Sequence, residues 1–421
     1  MTEKLLQFIW RFQYYNRKGL FLDTGEPLQI VFPGNHNFHQ GPDFLEAKIK
    51  IYDTVLVGNI ELHVHASDWI KHAHNDDKNY RNVIVHVVWE NDMAMRINDI
   101  PVLTIKKLVP KLLLTRYVEL MNNVSFVPCE NILSQVNDIL WSSWKQRLIV
   151  ERLQRRSQAV AEYLSQNNQH WEETFWWMLA RNFGMKVNAE VFEAMAKSIS
   201  INILAKHKGQ HHQLEALLLG QCGLLEYEFK EDYPKMLQKE YRFLKNKYRL
   251  KHVDMQAHLL RMRPGNFPTV RLAQLAMLIS ESSHLFSKVK EMHSAKEAGK
   301  LLVVTAGDYW NYHYVFDEES SFRKKSVGKQ MADNVIINTI VPVLFAYGHF
   351  HKLGNLKEKA LKWLEELLPE KNHTIDCWKN AGALSINASD SQSLIELKSQ
   401  YCDQRRCLDC AVGGRLLKSD L

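Results

Sequence analysis

Residues able to do chemistry are concentrated near the N-terminus. Seven of the 19 histidines (His36, His39, His63, His65, His72, His74 and His86) fall between residues 36 and 86. The run Pro33-Gly34-Asn35-His36-Asn37-Phe38-His39-Gln40-Gly41-Pro42-Asp43-Phe44 is rich in turn formers and delivers Asp43 to the mouth of an apolar strand pattern. The next strand pattern reads Gly58-Asn59-Ile60-Glu61-Leu62-His63-Val64-His65. Because side chains alternate along a strand, Glu61, His63 and His65 share one face and Ile60, Leu62 and Val64 the other. Glu61 and His63 then stand about 7 Å apart along the strand, a gap that a divalent cation or its water can bridge. If the strand that starts at Phe44 is the hairpin partner, Asp43 closes the same site.

The elements that must position these groups follow from periodicity. Apolar side chains at Leu5, Leu6, Ile9 and Phe12 predict a helix over residues 3–17, stopped by Gly19. Strand patterns follow at residues 28–32, 44–52 and 55–65, the last two joined by a turn at Asp53-Thr54. Ser67-Asp68 is a helix-start signal, predicting about three turns from Trp69 to Tyr80. A β-branched run at residues 82–89 and a short one at 102–105 complete a small α/β unit. In the predicted second helix His72, Asp76 and Tyr80 recur every four residues, a polar row that either overlooks the strand site or faces water. His72 and His74 stand about 200° apart on such a helix, poor geometry for chelation. A hydrolase using several histidine ligands therefore ranks below a carboxylate site, and the His-Glu-x-x-His signature is absent. His36 and His39 fit substrate contact or a plain turn, His65 is open between ligand and surface residue, and His86 reads as a buried strand residue.

The order helix, three strands, helix, strand, with Pro42-Asp43 and Glu61-Leu62-His63, resembles the PD-(D/E)xK nuclease superfamily over about the first 105 residues. The resemblance implies a restriction-endonuclease-like core in which Asp43, Glu61 and the Leu62 carbonyl hold Mg²⁺ or Mn²⁺, ions suited to oxygen ligands. His63 stands where that family usually has lysine, so it either manages the attacking water or ligates a softer metal. His72 and Tyr80 would support the catalytic groups. Taken whole, the chain also resembles an uncharacterised bacterial family, a domain of unknown function. The residues that carry this are Gly41-Pro42-Asp43-Phe44, Glu61-Leu62-His63-Val64, Trp69 to His74 and Arg261-Met262-Arg263-Pro264.

Two further motifs lie downstream. Cys402-x4-Cys407-x2-Cys410 has a knuckle spacing in which two thiolates grip one ion, and Cys377 could complete four ligands for zinc or, as a competing cofactor, an iron–sulfur cluster. The bland alternative is a set of reduced structural thiols; Cys129 and Cys222 read as packing residues. Arg261, Arg263 and Arg271 flank a Pro/Gly turn that leads into a helix, either a phosphate cradle for nucleic acid or ties between helices. Basic runs at residues 152–156, 245–251 and 323–325 form a nucleic-acid track only if they share a side.

Composition bounds these readings. The chain has 421 residues, 46% hydrophobic and 24% charged, with a formal charge of +7, which excludes a mainly disordered or fibrous protein. At roughly 100–200 residues per domain it should contain more than one. The pattern breaks around Asn122-Asn123 and Pro128, predicting an α/β domain over residues 1–125 and a helical domain over 136–421 that carries the cysteine cluster. The most apolar stretch, residues 336–347, is interrupted by Asn338, Thr339 and Pro342, so no membrane span is expected. The start carries no leader pattern, and six cysteines suit a reducing cytoplasm. The reading that follows is a metal-dependent nuclease-like phosphodiesterase. The alternatives are a non-catalytic nucleic-acid or protein adaptor on a degenerate core, and metals held purely for folding.

Overall fold

A computed structural model describes residues 1–93, 99–259 and 264–418. It has an α/β N-terminal region and a helical region, in two compact units: Met1–Trp144 together with Leu397–Leu421, and Lys145–Glu396. The terminal cysteines Cys402, Cys407 and Cys410 thus belong to the first unit rather than to the helical one, where the sequence placed them.

The first unit is built on a mixed sheet. Its strands are β1 (Leu20–Phe21), β2 (Pro27–Phe32), β3 (Asn35–His36), β4 (Phe44–Ile51), β5 (Thr54–His65), β6 (Val83–Glu90) and β7 (Val102–Thr104). The order is β1-β2-β4-β5-β6-β7, with β3 also on β4. Pairing is antiparallel as far as β5 and parallel from β5 through β7. Helix α1 (Glu3–Arg11) buries Leu5, Leu6, Phe8, Ile9 and Trp10 and packs on β5. It is shorter than its periodicity predicts because Gln13 takes a left-handed φ of 53°. One face of the sheet is apolar, with Phe44, Ala47, Ile49, Ile60, Leu62, Val85 and Val87 all buried. This burial fixes which face is left for polar groups.

The β4–β5 ladder contains the feature on which the site depends. Ala47 pairs with Gly58 and Ile51 with Thr54, but Phe44 pairs with Ile60, so β4 carries one extra residue between Phe44 and Ala47. Glu46, within this bulge, has a left-handed φ of 58°. A one-residue shift moves every side chain beyond it to the opposite face. Without the bulge Asp43 would lie opposite Leu62 over the apolar core; with it, Asp43 lies opposite Glu61.

The predicted three-turn helix over residues 69–80 is not formed. Helix α2 spans Asp68–Lys71 only, His72 is its C-terminal cap, and Ala73 has a left-handed φ of 56°. A short 3₁₀ turn, Lys78–Tyr80, follows. The polar row of His72, Asp76 and Tyr80 is therefore absent, and Asp76 is exposed. Helix α3 (Lys111–Asn122) and the start of α4 (Asp138–Gln166) complete this part of the chain.

Helical periodicity in the sequence predicts helices over residues 171–183, 188–198, 233–247, 270–286 and 356–368, and the second unit is helical, with Trp171–Phe183, Ala189–Ser198, Asp232–Tyr248 and Gly354–Glu366 close to those bounds. The pattern expected to run over residues 270–286 is split into Pro268–Glu281 and Leu285–Glu291 by extended Ser282 and left-handed His284. Lys329–Phe350 is the one helix among the described residues long and apolar enough to cross a bilayer, and 78% of its most apolar window is buried within the protein. A π turn at Ile336–Ile340 accommodates Asn338 and Thr339, and Thr339 Oγ1 accepts from Asn182 Nδ2 at 3.0 Å, so the interruptions seen in the sequence do not end the helix.

Glu215 lies in the core of this unit. Its Oε2 accepts from Tyr233 Oη (2.8 Å) and Trp310 Nε1 (3.0 Å), while Oε1 has no hydrogen-bond partner. Burial pushes its carboxyl from 4.5 up to about 7. The folded state therefore holds this proton more tightly than the unfolded chain, and stability falls as pH rises through that interval, then levels off. The loss amounts to about 3 kcal/mol at most. Glu215→Gln mimics the protonated acid, so urea unfolding at about pH 5 and about pH 8 should show a smaller drop in the variant than in the wild type. Equal drops would assign the dependence to other groups.

Candidate metal centre

The loop before β4 is folded by its own polar groups. Asn37 Nδ2 donates to the carbonyls of Gln40 (3.3 Å) and Pro42 (3.0 Å), and its Oδ1 accepts from the His39 N–H at 2.9 Å. Gly41 supplies the φ of 105° that this turn requires. Asp43 is thereby held beside Glu61. The Asp43 N–H donates to Glu61 Oε2 (3.0 Å), the Leu62 N–H donates to Asp43 Oδ2 (3.1 Å), and Gln7 Nε2 from α1 donates to Asp43 Oδ1 (2.7 Å). The structure thus connects Leu62 to Asp43 through its N–H. Burial and the field of Glu3 push both carboxyls up, and the neighbouring Asp43 adds to the rise at Glu61. At neutral pH the pair keeps a proton unless a cation replaces it.

Glu61 Oε1 faces a group of imidazoles. It lies 3.5 Å from His63 Nε2 and 3.4 Å from His74 Nε2, and His63 Nε2 is 3.0 Å from His72 Nδ1. Ligand atoms of His63, His72 and His74 all lie within 4.8 Å of one another. His74 Nε2 is buried and has no hydrogen-bond partner. A tetrahedral ion with ligands at about 2.1 Å sets their atoms about 3.4 Å apart, a spacing that the three imidazoles approach, with Glu61 Oε1 beside His63 and His74. The left-handed turn at Ala73 lets His72 and His74 converge, where a helix would hold them apart.

The surroundings fix the rings. His63 Nδ1 is 2.9 Å from His86 Nε2, the parallel pairing sets Glu61 against His86, and Trp69 packs edge-on against His63. The Tyr80 ring stacks on His74 at 3.8 Å between centroids. Burial and the neighbouring imidazoles hold His63 down to about 3, and burial chiefly holds His86 down to about 4; His74 is lowered in the same way. These imidazoles are therefore neutral near pH 7, the form that ligates metals. Tyr80 is raised by burial and the nearby carboxylates and stays protonated. His63 is buried, His74 half-buried and His72 exposed, so the cluster reaches solvent through His72.

Other residues singled out by the sequence lie elsewhere. His36 packs on Phe38 and Phe44, His39 is exposed, and His65 sits at the surface 3.5 Å from Asp68. Arg271 is buried in the helical unit, bonded to Gln274 Oε1 and Asn266 Oδ1 at 3.0 Å each, so it ties its own turn. Arg261 and Arg263 lie outside the described residues. In the same unit a groove of about 920 Å³ is lined by Arg155, Arg156, Arg181, Lys186 and Lys197. Glu193 pairs with Arg181 and Lys197, and Glu396 with Arg155, so much of that charge is balanced. Cys377 is in the helical unit with Sγ 3.5 Å from His373 Nε2, while Cys402, Cys407 and Cys410 are grouped with Cys129. The sequence reading passed over Gln7, set His74 aside on helical geometry and took Cys129 for a packing residue; a helix-borne amide and an isolated cysteine give no signal by spacing.

Fold and site together describe an α/β unit carrying an acid–imidazole cluster, joined in one chain to a helical unit. The chain belongs to a family described as proteins of unknown function, DUF2851, whose model matches residues 3–373. No curated protein and no solved structure matches it.

Cation binding at this cluster must displace the proton kept by the Asp43–Glu61 pair. Affinity for Zn²⁺ or Mn²⁺ should therefore rise with pH by up to about tenfold per unit below the raised carboxyl value. Calorimetry in two buffers of different ionisation enthalpy checks this: the apparent heats should differ by the proton released, and identical heats would contradict it.

Proposed function

We propose that the N-terminal unit is a metal-dependent phosphodiester hydrolase acting on nucleic acid. The observation that carries the reading is the convergence of Glu61 Oε1 with ring nitrogens of His63, His72 and His74 beside a second acid, Asp43. The order of α1, strands β2, β4 and β5 and strand β6 supports a core like that of the PD-(D/E)xK nucleases, with the expected second helix cut to the four residues Asp68–Lys71. Formal charge of +7 favours a polyanionic substrate.

The donor set is one carboxylate and three imidazoles, which suits Mn²⁺ or Zn²⁺ better than Mg²⁺. Such an ion supplies charge neutralisation at a phosphate oxygen and a more acidic water. The protein's own groups do the rest. His86 fixes the His63 ring so that Nε2 points into the cluster. Asp43 is a positioning residue: its carboxyl accepts from the Leu62 N–H and Gln7 Nε2, and its N–H donates to Glu61 Oε2, which leaves Oε1 aimed at the imidazoles. Tyr80 holds the plane of His74. His72, at the exposed rim, is the group placed to exchange a proton with solvent.

A gel assay with single-stranded DNA, duplex DNA and RNA tests the proposal, using Mn²⁺, Zn²⁺, Mg²⁺ or EDTA. Cleavage should require Mn²⁺ or Zn²⁺ and fall about 100-fold or more in Glu61→Gln and His63→Ala, with folding checked by circular dichroism. Asp43→Asn should weaken metal affinity about 10–100-fold and recover partly at high metal concentration. Metal-loaded protein that cuts none of the substrates would overturn the hydrolase; nucleic-acid binding unaffected by EDTA would then point to an adaptor.

A further inference from the structure

The other cluster of metal-ligating side chains in the first unit is its four cysteines. Cys129, Cys402, Cys407 and Cys410 are all buried, and none is in a disulfide. Each of the four thiols lies within electrostatic reach of the other three; among the described residues the group whose ligand atoms all lie within 4.8 Å of one another is the imidazole one, so a single ion would draw the sulfurs inward. Three independent pieces of chain bring them together: the residue before the 3₁₀ turn Glu130–Gln135, the end of the π turn Lys398–Cys402, and the segment that caps the terminal helix Ala411–Lys418. The Glu130–Gln135 turn packs against the terminal helix, which sets Cys129 beside the knuckle.

The local backbone is built around these sulfurs. Arg405 takes a left-handed φ of 52°, and its N–H donates to the Cys402 carbonyl at 3.1 Å, reversing the chain before Cys407. A Cβ on Gly413 would meet the Cys407 carbonyl oxygen at 2.3 Å, so only glycine lets the helix start lie against the Cys407 turn. Thiophilic metals are held by thiolates, and four thiolates buried together require a cation to offset their charge.

We propose that Cys129, Cys402, Cys407 and Cys410 form a tetrathiolate centre for a thiophilic metal, either one Zn²⁺ or a preformed iron–sulfur cluster. Binding of Zn²⁺ forms four metal–sulfur bonds and releases the thiol protons to solvent, with no change of oxidation state. The proposal replaces Cys377 by Cys129 as the fourth ligand, and it is independent of the acid–imidazole cluster.

The test is metal analysis and visible absorbance of the full chain purified without oxygen, after gel filtration. Zinc at one equivalent with no colour identifies zinc; iron, acid-labile sulfide and a visible band identify the cluster. To exclude metal at the N-terminal site, the same measurement is made on Glu61→Gln, which should keep the thiolate-bound metal. Cys129→Ser and Cys407→Ser should lose most of it and Cys377→Ser none. Where a serine variant does not fold, alkylation of the native protein read by mass spectrometry serves instead. Cys129, Cys402, Cys407 and Cys410 should be protected together and become reactive together once a chelator strips the metal, with Cys222 still protected. Wild-type protein free of zinc and iron, metal retained in full by Cys129→Ser, or four thiols equally reactive with and without chelator would each overturn the proposal.

Discussion

Two carboxyl groups forced side by side where the central strands β4 and β5 pair dominate the N-terminal unit. Asp43 and Glu61 lie where burial and mutual repulsion both oppose ionisation. Three hydrogen bonds offset part of that cost, two from backbone N–H groups and one from Gln7. The remaining excess must be met by a retained proton or by a cation. The strain of the β4 bulge belongs to the same account: a non-glycine residue in the left-handed region costs about 1–3 kcal/mol, and here it turns Asp43 away from the core to face Glu61.

The imidazoles fit this constraint as ligands and fail as counter-charges. Were they protonated, they could neutralise the acids directly, but burial and mutual proximity hold His63 and His86 neutral well below pH 7. Neutral nitrogens beside a protonated carboxyl pair leave His74 Nε2 without a hydrogen-bond partner. A divalent ion resolves both deficits together, since it replaces the proton and accepts the free lone pair. For the same reason the chain abandons a continuous helix after Lys71: turning at Ala73 gives up helical hydrogen bonds and brings two more nitrogens to the cluster.

How much of this could be read from the sequence depends on the range of the interaction. Alternation along β5 put Glu61 and His63 on one face, because side-chain direction in a strand is a local property. The bulge was invisible, since nothing in Leu45-Glu46 marks an inserted residue; Asp43 was matched to Glu61 through the expected hairpin and the resemblance, without the register that brings the two face to face. The Trp69–Tyr80 helix was misread because Ser67-Asp68 starts a helix and the four-residue spacing continues it, while the force that breaks it is tertiary. Trp171–Phe183 was read to the residue because its apolar pattern and its packing agree. Cys377 was chosen over Cys129 because nearness in sequence was the only guide to nearness in space.

The two clusters in the first unit differ in hardness and in access, differences that would keep the proposed metals apart. One carboxylate and three imidazoles make a borderline set that opens to solvent at His72. Four thiols make a soft set, all of them buried and packed against a helix start. A closed thiolate site has no position for a substrate and contributes to folding, whereas an open mixed site leaves room for chemistry. Zinc could enter either, so the sorting must come from geometry and access rather than from affinity alone. The bulge that presents Asp43 and the glycine that admits the Cys407 turn are thus comparable devices. Each is a local backbone accommodation that positions ligands contributed by distant parts of the chain.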